Sequence, residues 1–440
     1  MCAAITLPVL TLAAPHLAAG LAAGERLGAM NTGRSDPIDD PARIRSADAA
    51  TLAHAFAGQR ARTLRLFAAV RAALGEGLDI PYSEVVNPPL WELGHVGWFE
   101  EFWIARNTER HRGMRARLEA PRAAPLLAGA DALYDSSQVA HASRWQLDLP
   151  SAERSLQLLA RGRERTLALL GDTGDSDDAL YFFRLVLLHE AMHVEAGVMI
   201  AQGLDLDVRA ALAARHPAPG GGGGELHVPA QTLSAGAHEP GFAFDNELGE
   251  QLIEVPAFAI DGDVVTWGAY LPFVEAGGYA EATAWTSEGW AWRQRALPSG
   301  LPRYLSRRSD GSWRRAQFGQ WVDIDCAQPA VNLSQHEARA WCRWAGRRLP
   351  TEHEWTLAAA QADNGFAWGQ VWEWTASPFA PWPGFARHPY RDYSAPWFDG
   401  RPVLKGGSFA AAPCIKHRRY RNFFAAHRND VFAGFRSCAL

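Results

Sequence analysis

Five consecutive glycines, Gly220–Gly224, follow Pro217 and Pro219 and separate two halves of different texture. A run with no side chains to bury favours neither helix nor strand. His216–Glu225 is therefore expected to be a flexible linker and the clearest domain boundary in the chain. The 440 residues give length for two or three domains, and 48% apolar content supplies their cores.

Before the boundary, apolar residues recur with helical spacing over 46–215. Ser46–Leu74 places Leu52, Phe56, Leu64, Leu66, Phe67, Val70 and Leu74 at helical intervals and predicts a first long helix. Gly75–Pro89 is a loop, with Pro81, Pro88 and Pro89 as breakers. Leu90–Asn107 predicts a second helix, with an aromatic stripe of Trp91, Trp98, Phe99 and Phe102 around His95. Arg110–Leu149 is irregular, with Pro121 and Pro125. Pro150–Leu170 predicts a third helix, opened by Ser151 with Glu153 close behind. Asp175–Gly203 predicts a fourth. Four long helices with one long connection make a bundle.

The fourth helix carries L-L-H-E-A-M-H-V-E at Leu187–Glu195. His189 and His193 lie four residues apart and so share a face, near Leu185, Val186 and Ala196. Two imidazoles on a buried face read as metal ligands; the alternative is a pair of satisfied core histidines. His95 alone reads as a core histidine. In a bundle, however, metal sites are built from inward side chains on different helices, so His95 can complete a three-histidine site. Three protein ligands leave positions open for substrate or dioxygen, which marks a catalytic rather than a structural centre.

After the boundary, residues 226–440 show short apolar runs, many glycines and much of the chain's tryptophan. The 18 tryptophans suit aromatic loop anchors or a pocket for a cation. One helix is visible, Ser334–Ala345, with Ser334 and Glu337 forming a capping box. The rest reads as loops and short strands, giving an α+β multidomain chain.

At the other end, Ile5–Gly24 is apolar but interrupted by Pro8 and Pro15, and no lysine or arginine precedes it. It lacks the charged start of a secretory signal and makes a poor membrane span. Residues 1–45 are expected to be a disordered or over-called extension. Five scattered cysteines without a C-x-x-C fit a reducing cytoplasm. A net charge of −5 gives no hint of a nucleic-acid partner.

Several stretches resemble known families. Gly241–Glu247, Val264–Tyr270, Glu337–Trp355, Val371–Thr375 (V-W-E-W-T), Lys405–Phe409 (K-G-G-S-F) and Gly434–Arg436 are similar to the formylglycine-generating-enzyme-like, C-type-lectin-like fold. H-x-x-x-H-x-E at His189–Glu195, with L-G-H-V-G-W-F upstream, resembles the DinB-like four-helix bundle. Fused in this order, the two resemble the non-haem iron sulfoxide synthases of ergothioneine biosynthesis. That resemblance implies Fe(II) held by His95, His189 and His193. Formylglycine-generating enzymes use paired cysteines after G-G-S, whereas Phe409–Arg421 holds only Cys414, so sulfatase maturation is not expected.

The family joins a chalcogen donor to C2 of the imidazole of hercynine, trimethyl-histidine, using O2. The resemblance implies Tyr390, in a Y-x-x-Y run with Tyr393, as the source of a proton or hydrogen atom. Hercynine would lie against Asn422 and Phe423, the latter replacing a family tryptophan. Met192 stands where the family has a glutamine. Phe424 replaces an aspartate, and Arg144 stands alone where one branch has an Arg-x-x-Arg pair for γ-glutamylcysteine. A donor with several charged groups would leave charges unpaired in such a pocket. N-P-P-L-W-E-L-G-H-V-G-W-F and D-A-L-Y-D-S-S-Q-V-A-H-A-S-R-W look like the selenoneine synthase branch, which implies a selenosugar donor, 1-seleno-N-acetylglucosamine. An ergothioneine-type enzyme using cysteine or γ-glutamylcysteine is the alternative, with a zinc thiol transferase or a lectin-like binding module beyond it.

Overall fold

A computed structural model describes residues 39–221, 223–236, 240–361 and 365–440. Most of the expected N-terminal extension lies outside the described residues. Its end does not: α1 (Pro41–Arg45), capped by Asp40, buries Ile44 and Arg45. Arg45 pairs with Glu247 at 2.8 Å, 202 residues away in sequence.

The four long helices are α2 (Ala49–Leu74), α3 (Pro89–Glu100), α5 (Ala152–Gly171) and α6 (Asp177–Gly203); a short α4 (Ala130–Tyr134) sits in the connection. Asp48, Ser151 and Ser176 each accept a hydrogen bond from a first-turn amide, and Pro89 opens α3 where a missing N–H costs nothing. The second helix does not run regularly to Asn107. Glu101–Ala105 is a π turn, with the Arg106 amide bonded to the Glu101 carbonyl at 2.9 Å. Trp103 on this wide turn stacks on Phe182, ring centroids 5.4 Å apart.

Every residue of α6 from Leu180 to Ala191 is buried, which makes it the central helix. Leu185 and Val186 are fully buried as expected, while Ala196 is half-buried. Behind its histidines runs a ring of four buried charges, one from each long helix. Arg60 of α2 bonds Glu190 of α6 (2.7 Å) and Glu100 of α3 (2.6 Å). Arg163 of α5 bonds the same two carboxylates, at 2.8 Å to Glu100 and 2.7 Å to Glu190. The ring is neutral in sum and each member is hydrogen-bonded, the condition under which buried ions are tolerated.

The C-terminal half holds eleven short strands among the described residues. β1 (Glu225–Val228) pairs with β4 (Phe258–Asp261), and β2 (Gln231–Ala235) with β3 (Gln251–Val255). β5 (Leu305–Arg307), β6 (Trp313–Gln317) and β7 (Gln320–Asp323) form a meander. The fourth sheet runs β10 (Asn422–Phe423), β9 (Pro402–Gly406), β8 (Trp372–Pro378), β11 (Ala433–Gly434). Four helices accompany the strands: α7 (Trp267–Glu275), α8 (Ser287–Ala296), α9 (Gln335–Trp344) and α10 (Glu352–Ala360). Only α9, with its Ser334–Glu337 capping box, matches the sequence reading.

The Gly221 and Gly223 amides bond the Asp263 carboxylate at 3.2 and 2.7 Å, and Glu225 already belongs to β1. The bundle and the C-terminal half form one compact unit over 37–440. Glu195, two residues after the last histidine of α6, crosses between them. It accepts from the Trp372 indole at 2.9 Å and from the Ser408 hydroxyl of K-G-G-S-F. Burial holds its carboxyl above the usual range.

Candidate metal centre

α3 contributes His95 and α6 contributes His189 and His193. One ring nitrogen from each lies within 4.8 Å of the others. His95 and His189 are buried and His193 half-buried. Each ring is fixed from behind. The His95 Nδ1 bonds the Tyr134 carbonyl at 2.8 Å, and its ring stacks on Trp91 at 4.8 Å. The His193 Nδ1 bonds the Glu92 carboxylate at 2.5 Å. His189 stacks on Phe99 at 3.5 Å, 3° from parallel. An Nδ1–H donated to carbonyl or carboxylate leaves Nε2 as a bare lone pair. The His189 and His193 Nε2 atoms lie only 3.1 Å apart. Burial, then the neighbouring His193, pushes His95 down to about 3, and burial likewise holds His189 well below the usual imidazole range. Two ring nitrogens this close must share either a proton or a cation. The donor set therefore fits a divalent first-row metal with positions left open.

A carboxylate not singled out from the sequence supports the site. Glu92, three residues before His95, is half-buried beside His193. Burial alone would raise its carboxyl, but the charges of His193 and His95 and hydrogen bonds from His193 and Asn87 bring it down to about 2. Asn87 donates to Glu92 at 2.5 Å and accepts from Arg144 at 2.6 Å. Arg144 thus ends a chain Arg144–Asn87–Glu92–His193, and its guanidinium lies 4.0 Å over Trp91, the ring that stacks on His95. E-x-x-H spacing on one helix was the available signal for Glu92. The Tyr134 carbonyl leaves none.

Tyr390 comes from the irregular segment between β8 and β9. Its ring meets Phe99 edge-on at 5.0 Å and His189 at 6.2 Å. It lines a cavity of about 300 Å³ with Phe99, Trp98 and Asp135. Burial, then Asp392 and Asp135, raises its hydroxyl above the usual phenol range, so it is protonated at neutral pH. The segment is anchored by His388, whose Nδ1 bonds the Tyr181 hydroxyl of α6 at 2.6 Å.

The other expected site residues lie around this core. Tyr393 stacks on Phe244 at 4.4 Å, and its hydroxyl donates to Tyr420 at 3.1 Å. Met192, between the histidines of α6, receives the Tyr420 hydroxyl on its sulfur at 3.1 Å. Phe423 stacks on Phe379 at 4.2 Å and stands 6.0 Å from Tyr393. The Asn422 Oδ1 accepts from the Phe423 amide at 2.9 Å. Phe424 is packed under Arg428, 5.3 Å from its guanidinium. Cys414 is buried and its thiol is pushed up to about 12 by burial.

Residues 55–196 match the DinB superfamily, and residues 222–370 match the sulfatase-modifying factor enzyme 1-like domain. The chain is 33% identical to a hercynine oxygenase of Mycobacterium tuberculosis, over 88% of this chain and 97% of that protein. It is 32% identical to a hercynine oxygenase of Mycolicibacterium smegmatis, over 88% and 98%. A formylglycine-generating enzyme of Streptomyces coelicolor is 27% identical over 42% of this chain and 78% of its own length. Identity at this level across both halves, together with the three-histidine cluster shared between two helices of the bundle, places the chain in the hercynine oxygenase family.

Proposed function

We propose that this chain is a non-haem Fe(II)- and O2-dependent enzyme that joins a chalcogen donor to C2 of the hercynine imidazole, and that the donor is a selenosugar of the 1-seleno-N-acetylglucosamine type. The observation that carries the reading is the convergence of three imidazoles beside a protonated tyrosine. His95, His189 and His193 would hold the iron, which when bound supplies one-electron chemistry toward O2 and Lewis-acid coordination. Glu92 and the Tyr134 carbonyl fix the orientations of the His193 and His95 rings that would hold the metal. Tyr390 keeps a proton on Oη at neutral pH and delivers it where negative charge builds on the reacting partners. Asn422, Phe423 and the aromatic surroundings would place the imidazole edge of the substrate near the donor atom, and Phe99 and Trp98 would exclude water.

The absence of an acidic side chain at Phe424 supports an uncharged donor, because a free ammonium there would be left without a counter-charge. One observation favours a second reading. Arg144 is bonded to an amide and a carbonyl rather than a carboxylate, and would suit the carboxylate of cysteine or γ-glutamylcysteine.

A competition assay separates them. The Fe(II)-loaded protein is given hercynine and O2 with the selenosugar, cysteine and γ-glutamylcysteine at equal concentration, and products are read by mass spectrometry. A selenium adduct of hercynine is expected, absent without O2 and with His193→Ala. Tyr390→Phe should lower its rate by about 100-fold at unchanged iron content. A sulfur adduct alone assigns the ergothioneine-type donor, and no adduct with any donor refutes the reading.

A further inference from the structure

Two arginines lie against Phe102, and they differ in one respect. Arg106, 5.5 Å from the ring, forms a two-pronged pair with Asp131 at 2.6 and 2.8 Å. Arg122, 4.2 Å from the same ring and 5.0 Å from Trp103, has no carboxylate partner among the described residues. Its one hydrogen bond is from Nη1 to the Phe102 carbonyl at 3.0 Å, and its Nε is buried without a partner. The loss of water is uncompensated: burial, then the nearby Arg106, pushes its guanidinium down to about 10. A planar guanidinium held flat by two rings, with N–H groups unused, is preorganised for a planar anion.

Arg122 lines the cavity of about 300 Å³ that also holds Tyr390. Two of its lining rings, Phe99 and Tyr390, are set against His189. Asp135, Asp392 and Trp98 line the same cavity. The cavity therefore offers an unpaired cation, carboxylates and aromatic faces together. A small α-amino-acid betaine carries the complementary set: a carboxylate, and a quaternary ammonium that only ring faces and diffuse negative charge can satisfy.

We propose that Arg122 is a specificity-determining residue that binds the carboxylate of the betaine substrate in this cavity. The inference rests on the reading of hercynine as substrate. Arg122 selects substrates that keep the carboxylate and holds the betaine head beside Tyr390. Asp135, Asp392 and the face of Trp98 receive the trimethylammonium.

The test is calorimetric binding to the Fe(II)-loaded protein without O2, using hercynine and N,N,N-trimethylhistamine, which has the same cation and ring but no carboxylate. Wild type should bind hercynine about 30-fold more tightly than the amine, the worth of a charge-assisted pair. Arg122→Gln should bind both alike, at the weaker level. Arg122→Lys, which keeps the charge but loses the fork, should fall between. The wild-type comparison does not depend on any variant folding. An Arg122→Gln protein that retains the preference for hercynine, or that loses both ligands equally, overturns the assignment while leaving the substrate reading intact. A wild-type protein that binds no hercynine overturns both.

Discussion

Replacing Glu190 by glutamine keeps the size of the side chain and removes one charge from the ring joining the four long helices. In the wild type its carboxylate accepts from Arg60 at 2.7 Å, Arg163 at 2.7 Å and Thr63 at 2.7 Å. The arginine side chains are 9% exposed and the glutamates 1%, so water cannot take over the lost bonds. Two guanidinium groups would then face one carboxylate. Removing one partner of a buried ion pair costs about 3–5 kcal/mol, against about 0–1 kcal/mol for a surface pair. Urea unfolding at neutral pH, followed by far-UV circular dichroism, should show a loss in that range for Glu190→Gln. The pH dependence gives a second check. The charges of Arg60 and Arg163 overcome burial and hold the Glu190 carboxyl below its ordinary 4.5. Its stabilisation is therefore complete above that value and is lost as pH falls through the lower folded value. The gap between wild type and variant should narrow below about pH 4. A loss under about 1 kcal/mol, or a gap that stays constant with pH, would refute the argument that the ring is a closed, dry network.

Two further substitutions test the supports of the site. Glu92→Gln should weaken metal binding by about 10- to 100-fold in a chelator competition with all three histidines present, and an unchanged affinity would show that Glu92 does not orient His193. At Glu195 the two replacements should differ. Glutamine can still accept from Trp372 and Ser408 and should change stability by less than about 1 kcal/mol, whereas leucine leaves both donors buried and should cost about 2–3 kcal/mol in thermal or urea unfolding. Because the Glu195 carboxyl is held above 4.5 by burial, the folded state binds its proton more tightly. Stability should thus fall as pH rises above about 4.5, and Glu195→Gln should abolish that slope.

The four long helices were readable from their period: the third, opened by Ser151, and the fourth, read from Asp175, start within two residues of where the structure starts them. The π turn was not, since E-F-W-I-A is compatible with an ordinary helical turn and the wide form appears only once Trp103 packs on Phe182. In the C-terminal half α10 was missed although Thr351 and Glu354 form a capping box, because the helix is nine residues long and nearly level in polarity. α7 carries Pro272 inside it, a residue that usually breaks a helix. Within the site, i,i+4 spacing exposed His189 and His193. The partners that aim them depend on packing: Glu92 meets His193 only because α3 lies on α6, and a backbone carbonyl holds His95. That Arg122 lacks a carboxylate is equally invisible before folding, because its neighbour Arg106 takes Asp131.

The bridge from Glu195 to Trp372 and Ser408 bears on modularity. α6 presents His189 and His193, anchors the Tyr390 segment through Tyr181, and grips V-W-E-W-T and K-G-G-S-F through Glu195. One rod thereby sets the coordinates of both halves. A bundle grafted onto another lectin-like partner would keep its ligands but lose the tyrosine's placement unless the acceptor surface supplied an indole and a hydroxyl at the same height. The two halves trace to separate families, yet in this chain they have become interchangeable only as a pair.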